Sequence, residues 1–358
     1  MLIDAMQSVT VHVATPTIGP AVRRATGQAT WLRAHDVVRV TSGSYCGLGE
    51  AAPLQDAATG AATAVVTLQA ALPFELEGPS RAYLLANGVA DSAASRFALE
   101  TALLDCWCQA HQVALANVLV TTPVADLATA AVVASVTEAV ASVAAGFTTL
   151  KLKLSRDADA DLVKATAIRE AVGDTIRLRG DANQTWELHE TPRRLRALAH
   201  LGWEFIEEPC PDTAKLLHMD LPIALALDES LPMISPAQFN DVLRARNLWG
   251  FVLKPTLLGG LLPTFGLANT AARAGKHAVV THALEGPVGT AACAEAARAV
   301  AALFDQPVAA GLGNNPTLTP HGAAWTAHVQ QLATPGHVRT AAGFGHGVTA
   351  PAWPQLLA

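Results

Sequence analysis

Charged side chains close five consecutive short apolar runs: Lys151 and Lys153 in KLKL, Asp181 in GDANQTW, Glu207 with Glu208 in FIEEPC, Asp228 in LDES and Lys254 in VLKP. Taken singly, each has an ordinary reading. K-x-K suits the solvated face of an edge strand, Asp181 a turn, the glutamate pair a surface corner, Asp228 a helix cap and Lys254 a solvated strand end. Taken together they point elsewhere, because uncompensated charges buried at one mouth would each cost roughly several kcal/mol, so they must answer one another. Three carboxylates flanked by lysines form a cage for a hard dication. With no His or Cys in the set, oxygen donors favour magnesium, or manganese, over zinc. A dication there would bind a substrate carboxylate and stabilise the enediolate left when the neighbouring proton departs. Positive neighbours and desolvation both pull a lysine pKa down, toward values at which an amine accepts a proton at neutral pH. Lys153 is the candidate base, and Lys254, arriving from the opposite side, stabilises the anion or acts as the partner acid.

Such convergence needs a scaffold that brings strand ends to one place. Short apolar strands alternating with amphipathic helices are predicted at 130–135, 149–154, 176–183, 204–209, 223–230, 250–255, 277–284 and 307–312. Eight of them imply a (β/α) barrel, whose strand carboxyl ends all open on one mouth. The competitor is a doubly wound sheet, but no G-x-G-x-x-G follows an early strand. In front of the barrel, SVTVHVAT and HDVVRVTSG alternate as strands of an antiparallel meander, with glycine turns expected in SGSYCGLGE. Helices are predicted around 57–72 and 79–87, and SRFALETALLDCWCQAHQ has helical spacing. The expected organisation is an α+β capping domain over residues 1–98, a barrel domain over 99–319, and a tail from about 320 to 358 that packs back on the capping unit.

Composition narrows the function. The 358 residues are 51% hydrophobic and 15% charged, enough for a large packed core. A net charge of −6 without a basic run argues against nucleic acid and against a membrane surface as partners. The uncharged stretch from Ala57 to Phe74 carries Gly60, Gln69 and Pro73 and reads as a soluble helix rather than a span, and the N-terminus lacks signal-peptide features, so a cytoplasmic protein is expected. Five cysteines are too few and too odd a set for a disulfide framework; Cys106 and Cys108 read as packing residues.

KLKL, GDAN, IEEP, LDES and VLKP, in this order and at these separations, resemble the enolase superfamily in its muconate-lactonizing subgroup, over nearly the whole chain. GLGEAAPL looks like that family's second capping loop. FIEEPC, LDESL and VLKPTLLGGL look most like the o-succinylbenzoate synthases within the subgroup. The resemblance implies a modified (β/α)8-type, (β/α)7β barrel with an α+β capping domain. It implies Lys153 as general base and Lys254 as a cation held against the enolate. Asp181, Glu207 and Asp228 are the implied magnesium ligands, with Lys151 near the metal-bound carboxylate. The implied reaction is loss of water from a succinyl-cyclohexadiene carboxylate in menaquinone biosynthesis. Thr281 and Gly311 stand where residues of such enzymes approach the succinyl tail, Asn183 supports the metal site, and Arg23 and Arg24 stand where a loop closes over substrate. The departure is THALEG, whose His282 replaces a more serine-rich pattern and leaves the substrate open; its plainer reading is an outward-facing histidine. Glu285 reads as a partner of a barrel lysine or of loop backbone.

Three other readings compete. An N-succinylamino acid racemase, or another racemase or epimerase of the same superfamily, would use both lysines as bases on opposite faces; dipeptide epimerases are less favoured, because VTHAL lacks the D-x-D they usually carry near the sixth or seventh strand. A Schiff-base aldolase would use a strand-end lysine as nucleophile. A non-catalytic barrel has no reason to keep so many charges in one pocket.

Overall fold

The computed structural model describes residues 8–12, 35–53, 60–72, 74–313, 332, 334–341 and 343–348. Its N-terminal part is an antiparallel sheet of β1 (Ser8–His12), β2 (Asp36–Ser42) and β3 (Tyr45–Ala51), in the order β1-β2-β3. Behind it lie α1 (Ala61–Ala70), α2 (Pro79–Val89) and α3 (Ala93–His111). Ser92 opens α3 through a reciprocal capping box with Ser95. The expected glycine turns are confined to Gly43 and Ser44; Gly47 and Gly49 belong to strand β3. The reason is packing. A Cβ on Gly49 would collide with the Ala98 carbonyl of α3, and one on Gly47 with the Ala102 carbonyl, so bare backbone lets strand and helix touch.

After α4 (Leu115–Leu119) and β4 (Asp126–Ala128), strands and helices alternate. They run β5 (Ala130–Val133), α5 (Val136–Ala144), β6 (Thr149–Lys153), α6 (Ala158–Val172), β7 (Arg177–Asp181) and α7 (Thr191–Leu198). They continue as β8 (Trp203–Glu207), α8 (Thr213–Leu216), β9 (Leu225–Leu227), α9 (Pro236–Arg244) and β10 (Leu248–Leu253). The last are α10 (Pro255–Leu258), α11 (Leu261–Arg273), β11 (His277–Val280) and α12 (Pro287–Ala301), before β12 (His337–Arg339), which pairs with β4. Strands β5 to β11 form one parallel sheet in sequence order. The eighth expected strand is reduced to two bridging residues: Ala310 pairs with Thr129 at one edge and Gly311 with Thr281 at the other. Those contacts join the first and last strands, so the sheet closes into a (β/α)7β barrel capped by the α+β unit. The doubly wound alternative is excluded, since an open sheet would leave both edges unpaired.

Alternation of side chains along each strand sorts the barrel into an outer apolar layer and an inner filling. Leu150, Leu152 and Leu154 are buried against the helices, which leaves Lys151 and Lys153 facing inward. Lower in the interior, Phe205, Ala226, Val252, Val279 and Val308 form a separate cluster. Arg179 lies over the Phe205 ring, pairs with Glu204 at 2.5 Å and donates to the Ala309 carbonyl at 2.7 Å. The barrel is therefore filled, and chemistry is left to its mouth.

Buried acidic groups join the layers. Glu50 of β3 accepts from Gly286 N at 2.6 Å and Gly289 N at 2.8 Å, at the start of α12, and faces His35 Nδ1 at 2.5 Å. Asp105 of α3 accepts from Leu48 N at 2.9 Å and His346 N at 3.2 Å, fastening the segment around His346 to β3 and α3. His337–Arg339 of the expected tail pairs with β4, while residues 320–331, 333, 342 and 349–358 of it, and Arg23 and Arg24, lie outside the described residues. The cysteines are free, and all but Cys46 are buried. Burial is the main cause that pushes the Cys106 thiol up to about 12. Among the described residues no helix is long and apolar enough to cross a membrane.

Two stability effects are expected. Gly49→Ala must push β3 off α3 and is expected to destabilise the fold by about 1–3 kcal/mol, read as a lower urea midpoint at unchanged slope. Burial pushes the Glu50 carboxyl up, but His35 and the Gly289 and Gly286 amides outweigh it and hold it at about 2. A carboxylate held below its unfolded value of about 4.3 stabilises the fold above that pH, by ~3 kcal/mol, and loses the effect as pH falls toward 2. Glu50→Gln is accordingly expected to be less stable at pH 7 and to show a flatter acid limb; an unchanged limb would refute this role.

Candidate active site at the barrel mouth

Each functional side chain stands at or just beyond the carboxyl end of a barrel strand. Lys151 and Lys153 come from β6, Asp181 from β7, Glu207 from β8, Asp228 follows β9 and Lys254 follows β10. Strands β6 and β10 are the second and sixth of the barrel, so their lysines arrive from opposite sides. Lys151 Nζ sits 2.8 Å from both Asp181 Oδ2 and Glu207 Oε2. Lys153 Nζ lies 2.5 Å from Asp181 Oδ2 and donates to Asn183 Oδ1 at 2.9 Å. Lys254 pairs with Asp228.

Electrostatics follow from this geometry. Burial pulls the Lys151 ammonium down, but the charges of Asp181 and Glu207 more than compensate and hold it above the ordinary lysine value. Burial likewise opposes Lys254, which Asp228, Glu229 and Glu207 hold high, with a smaller opposing push from Lys151. The expected lowering of lysine pKa values is thus reversed at these two residues. The carboxylates lie directly against the ammoniums and outweigh both desolvation and the repulsion between cations. A dication among the same carboxylates would reverse that balance again by competing for their charge. Asp181 shows the complementary effect: burial pushes it up, while Lys151 and Lys153 hold it well below the carboxylate range. Asp228 goes the other way, raised first by burial and then by Glu207 and Glu229, against the pull of Lys254.

Among the described residues, the carboxylates whose oxygens gather within 4.8 Å of one another are Glu207, Asp228 and Glu229. Two members of the expected ligand set are therefore together, while Asp181 is engaged by the lysines. Glu207 Oε1 and Glu229 Oε2 are buried without a hydrogen-bond partner. Orphaned carboxylate oxygens in an all-oxygen cluster fit a hard cation such as magnesium. Glu229 was not foreseen from the sequence. Adjacent residues on a strand face opposite ways, which would turn it away from Asp228, but β9 ends at Leu227 and the chain has already turned. LDES carried the only signal, an acidic pair immediately past a strand.

Backbone turns complete the site. Asn183, with φ 44°, accepts from Lys153, donates Nδ2 to Glu229 Oε1 at 2.9 Å and donates its N–H to Asp181 Oδ1 at 3.0 Å. Glu208, with φ 39°, turns away from the acidic cluster. Its Oε1 accepts from Asp228 N at 2.8 Å, Ser230 N at 2.9 Å and Ser230 Oγ at 2.5 Å, holding the turn that presents Asp228. Thr281 donates its hydroxyl to the Gly311 carbonyl at 2.7 Å, and a Cβ on Gly311 would meet that hydroxyl oxygen at 2.5 Å. His282 Nδ1 accepts from Leu284 N at 3.2 Å.

Comparison with known proteins agrees with this architecture. The family described as enolase C-terminal domain-like matches residues 131–351. An o-succinylbenzoate synthase from Desulfotalea psychrophila is 31% identical over 237 residues, covering 63% of this chain and 63% of that protein. An N-succinyl-L-Arg/Lys racemase from Bacillus cereus is 30% identical over 162 residues, covering 43% of each. In both matches the chain spans less than two thirds of the relative's length. The muconate lactonizing enzyme from Pseudomonas putida superposes with a TM-score of 0.77 at 20% identity, covering 98% of each chain, a likeness of fold. With the matched region taking in the barrel and every charged strand end described above, the chain belongs to the enolase C-terminal domain-like family.

Proposed function

We propose that this protein is a magnesium-dependent lyase, an o-succinylbenzoate synthase. It would dehydrate 2-succinyl-6-hydroxy-2,4-cyclohexadiene-1-carboxylate to o-succinylbenzoate, a step of menaquinone biosynthesis. The amines on opposite sides of a carboxylate cluster support proton abstraction beside a carboxylate, and the synthase relative that matches 63% of this chain, against 43% for the racemase, favours dehydration. Lys153 is 40% exposed and Lys151 15%, so Lys153 is the amine a substrate can reach. Its contacts with Asp181 and Asn183 fix where its Nζ stands.

In the proposed reaction Lys153 Nζ takes the proton beside the substrate carboxylate. The bond from the ring carbon to its hydroxyl oxygen then breaks, and the same lysine returns the proton to the departing oxygen, as a syn elimination permits. Lys254 holds positive charge against the electron-rich ring from the other side. Glu207, Asp228 and Glu229 are the residues gathered to hold magnesium, with Asp181 and its two lysines at their edge and Asn183 bridging Lys153 to Glu229. When bound, the dication supplies positive charge at the substrate carboxylate. Lys151 lies beside the place where that carboxylate would dock, and Thr281 and Gly311 flank the path of the succinyl tail. Aromatisation makes the elimination downhill.

A second reading, racemisation of N-succinylamino acids, is favoured by one feature: lysines on two faces supply the two acid–base groups that inversion at carbon requires. The Bacillus cereus relative is a racemase of that kind by name.

Assay of the purified protein with both substrates discriminates them. New aromatic absorbance from the cyclohexadiene carboxylate, lost on adding excess chelator, is the expected result. Inversion of an N-succinylamino acid with no dehydration would replace the first reading by the second. Lys153→Ala is expected to lower kcat by about 10²–10⁴, and full retention would remove it as base. Independently of turnover, magnesium is expected to raise the Tm of the wild type and to leave that of Glu207→Gln nearly unmoved.

A further inference from the structure

Behind the mouth, a buried carboxylate joins two loops that carry site residues. Glu285 follows the seventh strand, four residues after Thr281. Its Oε2 accepts from Ala283 N at 2.7 Å, holding its own loop, and its Oε1 accepts from the hydroxyl of Thr256. Thr256 lies in α10, the short helix that Lys254 opens; the amides of Leu257 and Leu258 donate to the Lys254 carbonyl at 2.9 and 3.0 Å. Immediately after Glu285, Gly286 and Gly289 give their amides to Glu50 of the capping sheet. Two glycines are required at these places. A Cβ on Gly286 would meet Glu50 Oε1 at 2.5 Å, and one on Gly289 would meet the Glu285 side chain at 2.6 Å. Glu50, Thr256 and Glu285 are all buried, so each lost bond leaves a partner stranded away from water.

We propose that Glu285 is a positioning residue. Glu285 ties the loop of Lys254 to the loop of Thr281 through Thr256, and Glu50 fastens that joined pair to the capping sheet. The assignment rests on the proposed role of Lys254 as the cation held against the substrate, and its physical core is a hydrogen-bonded link between the loops that follow barrel strands six and seven. Rigid placement matters because a base or cation displaced by about 1 Å loses on the order of 10²-fold in rate.

The test uses the full chain and two readouts. Amide hydrogen exchange is measured for segments 254–258, 281–289 and 149–153 in the wild type, Thr256→Val, Thr256→Ser and Glu285→Gln. Leu68→Ala serves as a control that weakens the α1 core away from the mouth. Thr256→Val is expected to speed exchange at Leu257 and Leu258 by about tenfold or more, leave 149–153 unchanged, and be restored by Thr256→Ser. With whichever substrate turns over, kcat should fall by about tenfold with KM within about twofold, again rescued by serine. Exchange confined to 281–289 in Glu285→Gln, with Leu257 and Leu258 as protected as in the wild type, would overturn the link. So would a Leu68→Ala control that loosens the same segments or lowers kcat as much. Should Glu285→Gln not fold, Thr256→Val cuts the same bond from its other end and decides the question. A wild type that turns over neither substrate refutes the proposed function alone, since the exchange result still judges the link.

Discussion

An ammonium set between two buried carboxylates, Lys151 against Asp181 and Glu207, is the constraint on which the site is built. None of these groups is tolerable alone in the barrel mouth, where removing one partner of a buried pair typically costs about 3–5 kcal/mol. Their mutual neutralisation lets a region with few charges concentrate several of them. Lys254 and Asp228 repeat the arrangement on the far side. The second-order contacts, Asn183 bridging Lys153 to Glu229 and Glu208 gripping the Asp228–Ser230 turn, then hold these charges in place through backbone conformations with positive φ at Asn183 and Glu208.

The scaffold explains why such a concentration is possible. Parallel strands that start at one end of a closed barrel finish at the other, so residues far apart in sequence reach a common mouth without long loops. Filling of the lower interior by Phe205, Val252, Val279 and their neighbours keeps the floor closed. The antiparallel sheet and helix α3 contribute through carboxylates that bond to helix amino termini. Glu50 reaches α12, and Glu100 of α3 accepts from the amides of Leu261 and Leu262 at the start of α11. Both helices follow strands whose ends bear site residues, so the fit between cap and barrel bears directly on the mouth.

Where expectation and structure part, the cause is local geometry that periodicity does not encode. The glycines of SGSYCGLGE look like turn residues, yet two of the three, Gly47 and Gly49, are strand residues bared for contact with α3. The eighth strand has the right apolar composition but only two of its residues bridge the neighbouring strands. Burial argues for lowered pKa values at Lys151 and Lys254; the carboxylates beside them reverse the sign. Glu229 joins Glu207 and Asp228 because β9 stops one residue before Asp228.

What the sequence determined by itself was the kind of scaffold and the inventory of chemistry. Apolar runs ending in Lys, Asp, Glu, Asp and Lys were legible because strand period and charge are properties of neighbouring residues. Tertiary structure alone decided which carboxylate pairs with which amine, that Glu229 joins the acidic cluster, and that Glu285 bonds Thr256 while Glu50 bonds the turn beside it. Those choices depend on distances of a few ångströms between residues tens to hundreds of positions apart, and such distances exist only once the barrel has closed.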